Sequence, residues 1–462
     1  MFKSDVYKNR RKQLMQKVQS GLIFFPGNRE VSFNYPANTY HFRQDSNFLY
    51  FFGLNQPDLA AVLDADSGKE YVFGNDVDMD DIIWMGPQPS IKERAALCGV
   101  DNTLALSELS GFLQNAKDKG QKIHILPVYR GDTTVQIADL FGIHHTEVKN
   151  LVSEELIKAV VSLREIKDEY EIAEIEKAVD NAYKMHTTSM KMAKPGVIEQ
   201  EIAGVVEGIA LSGGGPVSFP VILSVRGETL HNHHHNNILK IGQMMVTDAG
   251  CETPMGYASD ITRTVPVGGK FDARQKSIYE IVLKANQEVI KQCKAGIFYR
   301  DMHFLAARTI VNGLKELGLM KGDTDEAVAA GAHALFMPHG LGHQMGLDVH
   351  DMEGLGEDYV GYDDEIKRSD QFGLAFLRMA KRLKPGMVMT DEPGIYFIPA
   401  LIDLWKSESK HTGFINYDKL ESYKDFGGIR IEDDLLITEN GCRVLGTPIP
   451  KTVEEIEQTM NE

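Results

Sequence analysis

The sequence predicts an α+β chain in two parts, a smaller α/β domain over residues 1–155 and a larger domain over 156–462 that contains an internal repeat. Three observations carry this reading. A length of 462 residues exceeds what one ordinary hydrophobic core serves. Near Leu163-Arg164-Glu165 the pattern changes from short apolar runs broken by turn signals to long helical periodicity. Finally, the segment Leu239 to Gly250 aligns without gaps on Leu383 to Gly394, and five of its twelve positions are identical.

In the first part, Gly21 to Phe25 and the alternating stretch Leu59 to Leu63 read as strands, punctuated by the turns Pro26-Gly27-Asn28 and Asp66-Ser67-Gly68. After the boundary, Ile172, Ile175, Val179 and Ala182 mark one face of a long helix ending before Lys194-Pro195-Gly196. A second helical pattern follows through Ile278, Ile281, Val282, Ala285 and Val289, and then a third, capped by Asp301 and stopped by Gly318. In the aligned repeat Asp248 falls on Glu392, so each copy carries an acid at the same point of the same strand, and the two copies would face each other across a pseudo-twofold axis.

Bulk composition excludes several classes of function. Hydrophobic residues at 43% and charged residues at 25% are the balance of a soluble globular chain. A net charge of -17 argues against a nucleic-acid partner, which needs a basic face. No stretch reaches the about 18 uncharged apolar residues of a membrane span, and the basic start Met1 to Arg11 runs into Gln13, Gln16 and Lys17 rather than an apolar signal core, so a cytoplasmic protein with no membrane partner is expected. Cys98, Cys251, Cys293 and Cys442 lack CxxC spacing and read as buried free thiols.

The residues that can carry chemistry form two acidic pairs with histidines between them. Asp248 and Asp260 flank a short stretch that holds the turn residues Pro254 and Gly256, which predicts a hairpin that brings both carboxylates to one ion. Glu392 and Glu432 make the second pair. Between the pairs lies Pro338-His339-Gly340-Leu341-Gly342-His343, continuing to Asp348-Val349-His350, where glycine permits close backbone approach and imidazole supplies a neutral nitrogen. On composition alone, His231 to His235 is a weak metal binder or a loop, and Arg430 beside Glu432 is an ordinary surface pair.

Five segments in order, Thr247-Asp248-Ala249-Gly250, Ser259-Asp260-Ile261-Thr262-Arg263-Thr264, His339-Gly340-Leu341-Gly342-His343 with Gly346 to Asp351, Glu392-Pro393-Gly394-Ile395-Tyr396 and Gly428-Ile429-Arg430-Ile431-Glu432-Asp433-Asp434, resemble the pita-bread metallopeptidases, in their prolidase and aminopeptidase P branch. Phe42-Arg43-Gln44-Asp45-Ser46-Asn47-Phe48 with Phe52-Gly53 is similar to the N-terminal domain of that branch, so the resemblance spans nearly the whole chain. It implies a pita-bread catalytic domain and two divalent ions held by Asp248, Asp260, His343, Glu392 and Glu432, with Asp260 and Glu432 bridging. It further implies that His231, His339 and His350 line the substrate pocket and stabilise the scissile carbonyl, and that Arg430 supports the metals and the substrate. Four carboxylates balance the charge of two such ions, which activate a water for attack on the amide. Oxygen-dominated ligation with one imidazole favours Mn²⁺, with Co²⁺ or Zn²⁺ as substitutes. Glu392 would carry the water's proton to the leaving proline nitrogen.

Substrates are then short peptides with proline in second position, cleaved before the proline by a homodimer. A dipeptidase needs a clamp for the carboxylate after proline, and Arg378, upstream of Glu392 in Phe376-Leu377-Arg378-Met379-Ala380, is the candidate. The long stretch from Glu392 to Glu432 also resembles the prolidase insertion. The alternatives are an aminopeptidase acting on longer peptides and, more remotely, a non-catalytic binding module of the same fold. The intact acid set disfavours that module and a creatinase-type enzyme, and the long N-terminal part disfavours a methionine aminopeptidase.

Overall fold

The computed structural model describes residues 1–462. The chain divides into two compact units, Met1–Arg164 with Met352–Tyr359, and Glu165–Asp351 with Val360–Glu462. No helix is long and apolar enough to cross a membrane.

The first unit is an α/β layer structure. Its five-stranded sheet uses β1 (Leu22–Pro26), β2 (Ala60–Asp64), β3 (Lys69–Phe73), β4 (Asn102–Leu104) and β5 (Ile123–His124) in the order β4-β3-β2-β1-β5. β1 pairs antiparallel with β2 and parallel with β5. The stretch expected to alternate, Leu59 to Leu63, is instead buried throughout, because neighbours cover both faces of β2. Leu22, Phe24, Val62, Phe73, Leu113 and Ile137 centre this unit's core.

The second unit repeats one motif. Helices α1 (Glu169–Met192) and α2 (Glu199–Ser212) precede a sheet of β6 (Ile222–Ser224), β7 (Met244–Asp248) and β8 (Thr262–Pro266), ordered β8-β7-β6. Helices α3 (Ala273–Gln292) and α4 (Tyr299–Glu316) precede β9 (Val388–Asp391), β10 (Gly394–Tyr396), β11 (Gly428–Arg430), β12 (Asp433–Ile437) and β13 (Cys442–Val444), in which β12 lies between β9 and β13 and β10 pairs with β11. The two copies match in hydrogen bonding. Gly196 N–H donates to the Leu239 carbonyl and Leu239 N–H to that of Val197, and the same pair of bonds recurs from Gly296 to Leu383 and from Leu383 to Ile297. Bridges Ile198 to Ile238 and Phe298 to Arg382 complete the correspondence.

Asp301 does not cap α4. The N-cap is Phe298, without a side-chain bond, and Asp301 sits in the first turn. No side-chain cap is needed, because Tyr299 and Arg300 give their N–H groups to the carbonyls of Lys381 and Ala380. Gly318 ends the helix as expected, at φ +70.

Candidate metal centre

Strand ends of the second unit bring the acids together. Asp248 closes β7 and faces Thr262 across the hairpin. Asp260 lies two residues before Thr262, so strand alternation puts both carboxylates on one face, diagonally opposed. Gly250 is required there, since a Cβ would overlap the Ser259 carbonyl oxygen. Glu392 directly follows β9, and Glu432 lies between β11 and β12, with its N–H donating to the Thr262 carbonyl at 3.0 Å and its Oε2 accepting from Thr262 Oγ1 at 2.6 Å.

His343 reaches the same place from a segment laid along β9. Met345 N–H donates to Val388, Thr390 N–H to His343 and Glu392 N–H to Leu341, at 2.9–3.1 Å. Gly342 permits this approach, because a Cβ would overlap the Thr390 carbonyl oxygen. His343 Nδ1 is 3.1 Å from the Gln344 carbonyl, which takes the ring proton and leaves Nε2 with its lone pair toward the acids. That Nε2 lies 3.3 Å from Asp260 Oδ2 and 3.7 Å from Glu392 Oε1. One ligand atom each from Asp260, His343 and Glu432 fall within 4.8 Å of one another.

Electrostatics give this cluster its character. Burial, then the charges of Glu432, Asp248, Asp434 and Glu392, push the Asp260 carboxyl far above its ordinary range. Glu432 is driven the same way by burial, Glu392 and Asp248. Glu392 is pushed up to about 8 by burial first, with Arg430 opposing and Asp248 adding to the rise. Burial, and then His350, hold His343 well below its usual value, so its imidazole is neutral. Buried oxygens Asp248 Oδ1 and Asp260 Oδ1 have no hydrogen-bond partner. Crowded carboxylates, orphaned oxygens and a neutral nitrogen are the donor set that divalent cations complete, so the residues fit a metal pair.

The other expected residues take different stations. His350 packs edge-on against His343, ring centroids 4.2 Å apart. His231 is exposed, and its proton affinity is lowered first by partial desolvation of its ring and then by Arg430. Half-buried Arg378 follows the short 3-10 turn Leu374–Phe376, not a helix, and its charge acts on both Glu392 and His343. Arg430 is buried and turned inward. Its Nε donates to Thr262 Oγ1 at 3.0 Å, one terminal nitrogen to the Tyr396 hydroxyl at 2.7 Å and the other to Asp248 Oδ2 at 2.5 Å, so it positions Asp248. Both nitrogens of His339 are engaged: Nδ1 donates to the Gly340 carbonyl at 2.7 Å, and Nε2 accepts from the Tyr396 hydroxyl at 3.0 Å. Burial brings this ring down to about 3, and it is neutral.

Tyr396, Thr262 and Thr390 are the participants that the motifs leave without a role. Tyr396 links Arg430 to His339, and Thr390 Oγ1 accepts from the His343 N–H at 3.0 Å. Alternation along Gly394-Ile395-Tyr396 is the signal that aims Tyr396 to the same side as Gly394, beside Glu392.

Comparison with known proteins agrees with this architecture. The sequence model of metallopeptidase family M24 matches residues 173–439, and that of the aminopeptidase P N-terminal domain matches residues 7–125. The chain is 35% identical over 458 residues to the Xaa-Pro dipeptidase of Homo sapiens, covering 96% of this chain and 89% of the human one. It is 36% identical over 423 residues to a protein of Fusarium vanettenii named a probable Xaa-Pro aminopeptidase, covering 90% and 87%. Among solved structures, a variant of Escherichia coli aminopeptidase P in complex with substrate superposes with a TM-score of 0.81 at 29% identity, covering 100% of this chain and 98% of that one. The zinc-substituted form of that enzyme in complex with product gives the same values.

Proposed function

Because the chain belongs to metallopeptidase family M24, with an aminopeptidase P N-terminal domain ahead of the catalytic one, we propose that it hydrolyses the bond between an N-terminal residue and a following proline, as an Xaa-Pro dipeptidase. The observation that carries this is the buried convergence of Asp260, His343 and Glu432, with Glu392 3.7 Å from the His343 nitrogen and Asp248 fastened by Arg430. These five residues would hold two divalent cations, and the predominance of carboxylate oxygens supports Mn²⁺. Such ions, when bound, lower the pKa of a water and polarise the scissile carbonyl.

The chain's own groups account for the rest. Glu392 takes a proton from the attacking water at its carboxylate and returns it to the proline nitrogen, which carries no hydrogen as an amide and must gain one to leave. Thr390 Oγ1, 3.5 Å from Glu392 Oε1, restrains that carboxylate. His350, against the His343 ring, lines the entrance for substrate with His231. Arg378, whose charge acts on Glu392, clamps the carboxylate that follows proline in a dipeptide.

A second reading, an aminopeptidase that accepts longer peptides, is favoured by the structural likeness to aminopeptidase P and by the relative of that name. Hydrolysis of Ala-Pro and of Ala-Pro-Ala in Mn²⁺ buffer separates the two. Preference for Ala-Pro is expected. Faster cleavage of Ala-Pro-Ala selects the aminopeptidase, and cleavage of neither leaves a binding module.

A further inference from the structure

Two of the four cysteines, Cys293 and Cys442, lie far apart in the chain and meet in space. Cys293 is the C-cap of α3, fully buried, its N–H on the Val289 carbonyl. Cys442 opens β13 opposite Ile437 of β12 and is partly exposed. Its thiol donates to the Ile290 carbonyl at 3.1 Å, one of the carbonyls left without an intrahelical partner at the end of α3. The backbone closes the same contact, with Ala295 N–H on the Thr438 carbonyl at 3.2 Å. The two thiols are close enough to interact, and Cys293 holds the Cys442 thiol below its usual value, with a smaller downward pull from Lys451. Cys98 and Cys251 sit elsewhere, on the carbonyls of Ala95 and Ala178.

We propose that Cys442 and Cys293 are a redox modification site that closes to a reversible disulfide when the protein meets a peroxide. The accessible, more acidic thiol is the attacking one, and the buried neighbour resolves it. Cys442 sulfur attacks one peroxide oxygen, the O–O bond breaks, and with hydrogen peroxide one water leaves with a sulfenic acid on Cys442. Cys293 sulfur then attacks that sulfur, the S–O bond breaks, and its thiol proton departs in a second water. Two thiols and one hydrogen peroxide thus give one disulfide and two waters. The bond ties the edge strand β13 to the end of α3 and closes the long loop between Cys293 and Cys442, which restricts the unfolded chain.

The test treats the purified full-length protein with hydrogen peroxide, alkylates it after unfolding, and maps peptides by mass spectrometry beside a thermal melt. Expected are a Cys293–Cys442 cross-linked peptide lighter by two hydrogens, two alkylated thiols instead of four, a melting point raised by several degrees, and full reversal by dithiothreitol. Cys293→Ser should leave a sulfenic acid on Cys442 that dimedone traps, while Cys442→Ser should leave Cys293 reduced. Four alkylated thiols after peroxide, a bridge to Cys98 or Cys251, or oxidation of Cys293 in the Cys442→Ser protein would each overturn the proposal. None of these readouts requires peptidase activity, so the outcome is independent of the substrate assignment.

Discussion

Asp260 has one oxygen 3.3 Å from the His343 nitrogen, the other without a partner, and its backbone N–H on Asp434 Oδ2 at 3.1 Å. A side chain so enclosed by acids would be tolerated by sharing cations. Asp260→Ala is therefore expected to reduce Ala-Pro hydrolysis to background and to lower bound Mn²⁺ measured by elemental analysis; parental activity in the same buffer would refute the site. Arg378→Ala is expected to slow Ala-Pro turnover at least about tenfold more than Ala-Pro-Ala turnover, since loss of a bidentate carboxylate contact costs on the order of 1.5–3 kcal/mol. Equal losses on both peptides would remove the clamp. At this scale the acids were legible in short motifs because each lies at or near a strand end, and His343 because glycines punctuate His339-Gly340-Leu341-Gly342-His343. Tyr396 and Thr262 were not, because a hydroxyl's partner depends on which strands pair, as with the Arg430 contacts that join β7, β8 and β10.

Among the elements, β8 and β12 belong to different sheets and are joined by one fully buried side chain. Arg263 donates to the carbonyls of Thr262, Glu432, Ile449 and Pro450 and to Asp433 Oδ1 at 2.7 Å. Lys451 Nζ, 2.5 Å from Asp433 Oδ2, completes the ion cluster. Against burial, which acts to raise it, these two cations hold the Asp433 carboxyl below its ordinary range. Arg263→Met leaves the carbonyls of Glu432, Ile449 and Pro450 and half of that charge unpaired, and is expected to destabilise folding by about 3 kcal/mol in denaturant unfolding. A loss below about 1 kcal/mol would mean that Lys451 alone satisfies Asp433. Helix positions were readable from periodicity, and the hairpin from the turn residues between Asp248 and Asp260. The start of α4 departs from local capping rules because its free N–H groups find the carbonyls of Lys381 and Ala380, a long-range solution that no nearby residue signals.

For the whole molecule, acid is the informative stress. Burial lowers His186, bonded through Nε2 to the Ala249 carbonyl, and His333 from 6.5 to about 4. Both are neutral when folded and take up protons on unfolding between those values, so stability is complete above about pH 6.5 and falls as pH drops toward 4, by roughly 3 kcal/mol for each at the limit. Denaturant unfolding at pH 7 and pH 4.5 should show that loss, and His333→Leu should flatten it; an unchanged slope in the variant would reject the assignment. On this scale the repeat was visible because Leu239–Gly250 and Leu383–Gly394 kept their spacing around the acid. Grouping of Met352–Tyr359 with the first unit was not, since so short a segment carries no compositional mark of its own. The matched bonds show where the copies diverged: the chain from Gly296 to Leu383 is about twice as long as its counterpart from Gly196 to Leu239. His339, His343, His350 and Arg378 all lie in the longer span. The acids Asp248 and Glu392 occupy matching places in the two copies, whereas the His343 imidazole and the Arg378 guanidinium come from the lengthened half alone, so a peptide bound as proposed would meet unlike groups at its two ends and have a direction in which to lie.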